Sequence, residues 1–183
     1  MYKRQVFGTY NEHPDRKNRK PIASLYRLAP DLSLTKLLTN ITVSNGIAFS
    51  QGDNIMYFAD TPTGRIQKFE YSQDFKKLNE LDSNLIFNDV GVPDGATVDS
   101  QNNYWSARVR GNCIICIDIK KEKILKKINL PTATPTCLTF GGPDSSNLFV
   151  TSLRAEPIND SKDGNLYKVE TNNQGQKQLL SDI

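Results

Sequence analysis

One histidine, His13, and three cysteines, Cys113, Cys116 and Cys137, are all that 183 residues contain of these types. That scarcity excludes a disulfide framework and argues against a conventional structural zinc site, which draws on several Cys and His ligands. His13 is the only imidazole available to activate a serine or cysteine, and no G-x-S-x-G run holds such a nucleophile. Long apolar runs are missing too. None approaches the roughly 18 residues of a membrane-spanning helix, and the mean hydropathy is −0.51. The start, Met1 to Gln5, carries charge with no apolar segment behind it, so no secretory signal is expected within the chain. Charge of one sign is also lacking. Against 23 Lys and Arg stand 20 Asp and Glu, and the net +3 is too balanced to argue for nucleic acid. The basic clusters Arg16-Lys17-Asn18-Arg19-Lys20 and Lys120-Lys121-Glu122-Lys123 lie in turn-like text and are read as solvated loops. Neither nucleic acid, membrane nor protein partner is implied.

A long run of apolar residues at helical period is absent as well. Lys76 to Leu85 is the nearest candidate and reads better as strand. What is present is a series of short β-branched and aromatic runs separated by turn text such as Gln51-Gly52-Asp53-Asn54 and Thr61-Pro62-Thr63-Gly64. The class is therefore all-β. Cys113 and Cys116 form a C-x-x-C, but they sit in the apolar run Cys-Ile-Ile-Cys-Ile. On a strand, positions three apart face opposite sides, so both are expected to be small buried side chains. Trp105 is expected in the core. Asp60 and Asp99 end strands and are expected to cap turns, while Arg108 and Arg154 are candidates to reach a central pocket.

The runs repeat. Asn45-Gly46-Ile47-Ala48-Phe49 is followed by Met56-Tyr57-Phe58-Ala59-Asp60 and Arg65-Ile66-Gln67-Lys68-Phe69. Asp94-Gly95-Ala96-Thr97-Val98 is followed by Tyr104-Trp105-Ser106-Ala107-Arg108 and Cys113 to Ile117. A third copy opens at Pro135-Thr136-Cys137 and closes near Val169, and Ser24 to Leu28 matches the last strand of an earlier one. Asn45 and Asp94 are 49 residues apart, and Asp94 and Thr136 are 42 apart. A spacing of about 40 to 50 residues, with several short strands per repeat, is the signature of propeller blades, which bury their faces only by stacking. A Greek-key sandwich is the competing architecture, and the recurring three-strand grammar favours the propeller. About four blades are expected in one domain over residues 1–183, the first of them truncated. Residues 1–5 fit no part of the repeat and are read as foreign. The ring is expected to be incomplete, with unpaired edges, and the 183-residue chain alone inactive.

Three ordered motifs carry a resemblance. They are Ser44-Asn45-Gly46-Ile47-Ala48-Phe49-Ser50 with Met56 to Thr61, Val92-Pro93-Asp94-Gly95-Ala96-Thr97-Val98-Asp99 with Tyr104 to Ala107, and Pro135 to Asp144 with Leu148 to Ser152. From about Phe7 to Val169 the chain resembles the gluconolactonase, senescence-marker-protein (regucalcin) and luciferin-regenerating-enzyme family. The resemblance implies a six-bladed propeller with one divalent cation, calcium or zinc, at its axis, and hydrolysis of a sugar lactone. It implies Asn45 and Asp94 as metal ligands, a further glutamate ligand lying before Met1, and Asp94 as general base. Glu12 falls closest to an acidic substrate contact, with His13 competing for the place. Some relatives are proposed to be non-catalytic calcium- or ligand-binding propellers, which is the alternative reading.

Those residue types suit that chemistry. A hard cation takes carboxylate and amide oxygens, and a following glycine lets the backbone approach the axis closely. The competing reading of Asn-Gly and Asp-Gly is that they are good turns and nothing more.

Overall fold

The computed structural model describes residues 5–154 and 162–177. These form four antiparallel sheets in chain order, each a meander of neighbouring strands. The first holds β1 (Gln5–Gly8), β2 (Ala23–Leu28) and β3 (Leu34–Ile41). The second holds β4 (Ser44–Phe49), β5 (Ile55–Asp60), β6 (Arg65–Tyr71) and β7 (Leu78–Ile86). The third holds β8 (Val92–Val98), β9 (Tyr104–Val109), β10 (Cys113–Asp118) and β11 (Lys123–Asn129). The fourth holds β12 (Pro135–Gly141), β13 (Asn147–Ser152) and β14 (Leu166–Glu170). Among the described residues the only helical pieces are 3-10 turns at Arg16–Asn18, Thr61–Thr63 and Asn88–Val90. None is long and apolar enough to cross a membrane.

The sheets stack face to face, and side-chain alternation in their middle strands shows how. In β9, Tyr104 points into the core shared with the second sheet, where Tyr57, Ile66, Leu85 and Ile115 also lie. Trp105 and Ala107 point the other way, onto Phe140, Leu148 and Val150 of the fourth sheet. In β5, Met56 and Phe58 face Leu25 and Ile41 of the first sheet, while Tyr57 and Ala59 face the third. Both faces of β5, β9 and β10 are covered, which explains why Met56 to Ala59 of β5 and Cys113 to Ile117 of β10 read as unbroken apolar runs. Each fully buried Leu, Ile or Phe in these layers contributes about 1.5–3 kcal/mol. Cys113 and Cys116 are free, buried and on opposite faces of β10, one in each core. Trp105 is buried edge-on against Phe140, with ring centroids 5.8 Å apart.

Two readings need correction. Gln5 belongs to the repeat, since it opens β1 and pairs with Leu28; the other members of the opening pentapeptide lie outside the described residues. The Asn-Gly and Pro-Asp-Gly motifs are not the turns that the competing reading makes of them. They lie inside β4 and β8, each at a break in strand register. In β4 the pairing passes from Asn45↔Ala59 to Ala48↔Tyr57, so two residues oppose one. In β8 it passes from Pro93↔Arg108 to Ala96↔Ser106, with the same surplus. A third break falls between Pro135 and Cys137 in β12. Each is a β-bulge, which kinks the strand and re-aims its side chains.

Candidate functional site

Bulges of the same size interrupt the first strands of two consecutive sheets; Asn45 is the last paired residue before the one in β4, Asp94 is the first unpaired residue of the one in β8, and both are half-buried. Thr61, at the start of the 3-10 turn after β5, stands between them. Asn45 Nδ2 donates to Thr61 Oγ1 at 2.8 Å. Thr61 Oγ1 donates in turn to the carbonyl oxygen of Pro93 at 2.9 Å, one residue before Asp94. The amide on one sheet is thus two hydrogen bonds from the backbone that presents the carboxylate on the next.

Thr61 is itself anchored. Its backbone N–H donates to Val43 O at 3.2 Å. The preceding residue, Asp60, accepts from the backbone N–H groups of Thr42 at 3.0 Å and Val43 at 2.8 Å. Asp60 therefore holds the entry to β4 from across the sheet; its side chain makes no bond to the 3-10 turn that follows it, which corrects the expectation that it caps that turn. Asp99, at the end of β8, does cap the turn it precedes. Fully buried, it accepts from the backbone N–H groups of Gln101 and Asn103 and from Trp105 Nε1.

Close approach at the bulges depends on the two glycines. Gly46 has φ +62°, and a Cβ there would lie 2.5 Å from Tyr104 Oη. A Cβ on Gly95 would lie 2.8 Å from both Cys137 Sγ and Thr136 O of the fourth sheet. Gly95 thus brings a third strand, β12, against the Asp94 segment.

The electrostatics single out Asp94. Burial pushes its carboxyl up to about 6, with only the Gly95 backbone N–H pulling the other way. Among the described residues no cation is paired with it. The Cys137 thiol is also raised, by its packing and further by the negative charge of Asp94. A desolvated carboxylate without a counter-charge, close to an amide whose NH₂ is already engaged, suits a hard divalent cation. Among the described residues no group of three or more His, Cys, Asp or Glu side chains could hold a metal.

The remaining candidates lie elsewhere. Glu12 is exposed, in a loop that begins beside the Tyr10↔Val43 bridge and Asn11 N–H···O Thr42, and so adjoins the entry to β4. His13, also exposed, accepts at Nδ1 from its neighbour Asp15 N–H at 3.1 Å. Arg154 is exposed. Arg108 is fully buried between the second and third sheets, and its Nη2 donates to Phe87 O at 2.8 Å and Gly91 O at 2.6 Å. It supports the loop leading into β8 instead of entering a central pocket.

Sequence reasoning missed Thr61 and Cys137. Thr61 looked like turn text, and its partner Pro93 lies 32 residues further on. Cys137 carried one usable signal, its place beside Thr136 at the head of the third repeat.

Residues 3–154 match the family described as SMP-30/Gluconolactonase/LRE-like region. The chain is 30% identical to regucalcin of Xenopus laevis over 152 residues, covering 80% of this chain and 51% of that protein. It is 27% identical to pentonolactonase XacC of Haloferax volcanii over 169 residues, covering 87% of this chain and 58% of that one. A solved structure of luciferin-regenerating enzyme superposes with a TM-score of 0.85 at 28% identity, over 94% of this chain and 60% of the other. The chain spans about half the length of the curated relatives it matches. Its four sheets correspond to part of the six-bladed propeller of those structural neighbours. The motifs, the stacked meanders and these matches agree: the chain belongs to the SMP-30/gluconolactonase/LRE-like family.

Proposed function

We propose that the protein serves the hydrolysis of a sugar lactone, with Asn45 and Asp94 as oxygen ligands to one divalent cation, calcium or zinc, and Asp94 as general base. The observation that carries this reading is the Asp94 carboxyl, desolvated, without a cationic partner among the described residues, and presented at the bulge of β8 as Asn45 is at that of β4. Lactonase-named members of the family support the reaction class.

When bound, such a cation polarises the ring carbonyl and stabilises the oxyanion that forms on it. The chain's own residues do the rest. Asn45 turns its NH₂ to Thr61, which leaves the amide oxygen for the ligand. Burial raises the Asp94 carboxyl to about 6, so it is mostly ionised at neutral pH, and a bound cation would hold it ionised and limit its basicity, leaving most of the water activation to the cation. As the water oxygen bonds the carbonyl carbon, Asp94 takes its proton and then returns it to the ring oxygen as the ring C–O bond breaks, giving a hydroxy acid. Glu12, beside the entry to β4, is the acidic contact offered to substrate hydroxyls.

The test is gluconolactone hydrolysis by the full-length protein, with and without Ca²⁺, Zn²⁺ or Mn²⁺. Turnover should require a cation, and Asp94→Ala should lower kcat at least about 10²-fold. Equal turnover in wild type and Asp94→Ala would sink the assignment. Cation binding without turnover on a panel of lactones would favour a non-catalytic binding propeller.

A further inference from the structure

We infer that Thr61 is a positioning residue for the Asn45–Asp94 pair: its hydroxyl fixes which end of the Asn45 amide is left free. This rests on the reading of Asn45 and Asp94 as cation ligands. The argument counts protons. A threonine hydroxyl has one hydrogen, and Pro93 O, a carbonyl, only accepts. At 2.9 Å from that carbonyl, the Thr61 hydrogen is committed to it. Toward Asn45, 2.8 Å away, Thr61 Oγ1 therefore offers only a lone pair and must receive an N–H. The NH₂ of Asn45 faces Thr61, and because the amide is planar its carbonyl oxygen faces away. Without the hydroxyl, nothing in the hydrogen-bond pattern among the described residues separates the two orientations of the amide, and one of them turns an N–H toward the cation. The bond to Pro93 O serves to commit the hydroxyl hydrogen, so Thr61 acts on the site through the Asn45 amide. Asp60 and Val43 hold Thr61 in place for this task.

The experiment is calorimetric titration of Ca²⁺ and, separately, Zn²⁺ into the metal-free full-length protein and its Thr61→Val, Thr61→Ser, Asn45→Ala and Asp94→Ala variants, with melting temperatures in EDTA. Removing an outer-shell partner of a metal ligand typically costs about 10–100-fold in affinity. Thr61→Val should show a loss of that size and Thr61→Ser should restore affinity to within about threefold. Thr61→Val combined with Asn45→Ala should bind no more weakly than Asn45→Ala alone, because the hydroxyl acts only through the amide. Wild-type affinity in Thr61→Val, or losses that multiply in the double variant, overturns the inference while leaving the ligand assignment intact. Wild-type affinity in both Asn45→Ala and Asp94→Ala overturns the ligand assignment and the inference with it. Should Thr61→Val not fold, the wild-type protein still decides. The Asn45 side-chain NH₂ should exchange slowly with solvent, with and without cation, and exchange as fast as an exposed amide refutes the orientation.

Discussion

Tyr104 Oη donates to the carbonyl oxygen of Gly46 at 2.8 Å, joining the third sheet to the bulge of the second one residue past Asn45. Tyr104 is fully buried and meets Tyr57 edge-on, with centroids 5.2 Å apart. The contact needs a residue without a side chain at position 46, because a Cβ would lie 2.5 Å from that hydroxyl and 3.0 Å from Ala59 Cβ.

Tyr104→Phe should therefore cost about 1–2 kcal/mol, since Gly46 O stays buried without a donor. Gly46→Ala should cost more. The left-handed backbone contributes about 1–2 kcal/mol and the clash adds to it. In the Tyr104→Phe background the clash with the hydroxyl is gone, so Gly46→Ala should cost less there than in wild type. Urea unfolding of the four proteins closes the cycle. Strictly additive losses would show that the two groups do not touch.

Asp94 gives a pH dependence with a definite sign. Its folded value is near 6 against 3.8 for the ordinary carboxyl. Between those values the folded protein holds a proton that the unfolded chain has released, so stability from this group is full below about pH 4 and is lost as pH rises through 6. The loss amounts to roughly 3 kcal/mol. Metal-free Asp94→Asn should accordingly be more stable than wild type at pH 7 and similar to it at pH 4. Cation should reverse the ranking at pH 7, and cation affinity should fall as pH drops below 6, because proton and metal compete for one carboxylate. Unfolding midpoints in EDTA from pH 4 to 8 test this. A wild-type-to-variant gap that stays constant over that range contradicts it.

The blades were legible in sequence because burial on both faces leaves a plain mark. Met56 to Ala59 and Cys113 to Ile117 are unbroken apolar runs at regular spacing. The bulges were not. Asn-Gly and Asp-Gly look the same whether they close a turn or distort a strand, and only the cross-strand partners, Ala59 and Arg108, decide between the two. Thr61 was hidden for a similar reason, since its hydroxyl acts on residues 16 and 32 positions away. The raised carboxyl of Asp94 follows from packing, which local text does not encode.

Arg108 illustrates the same limit. A charged side chain in β9 suggested a pocket residue, yet it bonds the backbone carbonyls of Phe87 and Gly91. Its Nε and Nη1 are buried without hydrogen-bond partners among the described residues, and burial lowers its pKa. Arg108→Ala removes two carbonyl partners and opens a cavity, so a loss of about 3–5 kcal/mol is expected. Hydrogen exchange should accelerate first in the Asn88–Val90 turn and the start of β8. Unchanged protection there would mean that the arginine does not brace the loop.

Thiol chemistry separates the three cysteines. Cys113 and Cys116 are buried on opposite faces of β10, and burial raises both thiols, that of Cys116 to about 12. The thiolate is the reactive form, so both should resist an aromatic disulfide reagent in the native state. Cys137 is exposed on β12 beside Gly95, with its thiol raised as well. It should react alone, one equivalent per chain, at a rate that climbs as pH increases. Cys137→Ser should abolish the native reaction, and unfolding wild type in urea should release the other two. Native labelling of Cys113 or Cys116 at a comparable rate would mean that the cores between the second, third and fourth sheets open far more readily than their packing implies.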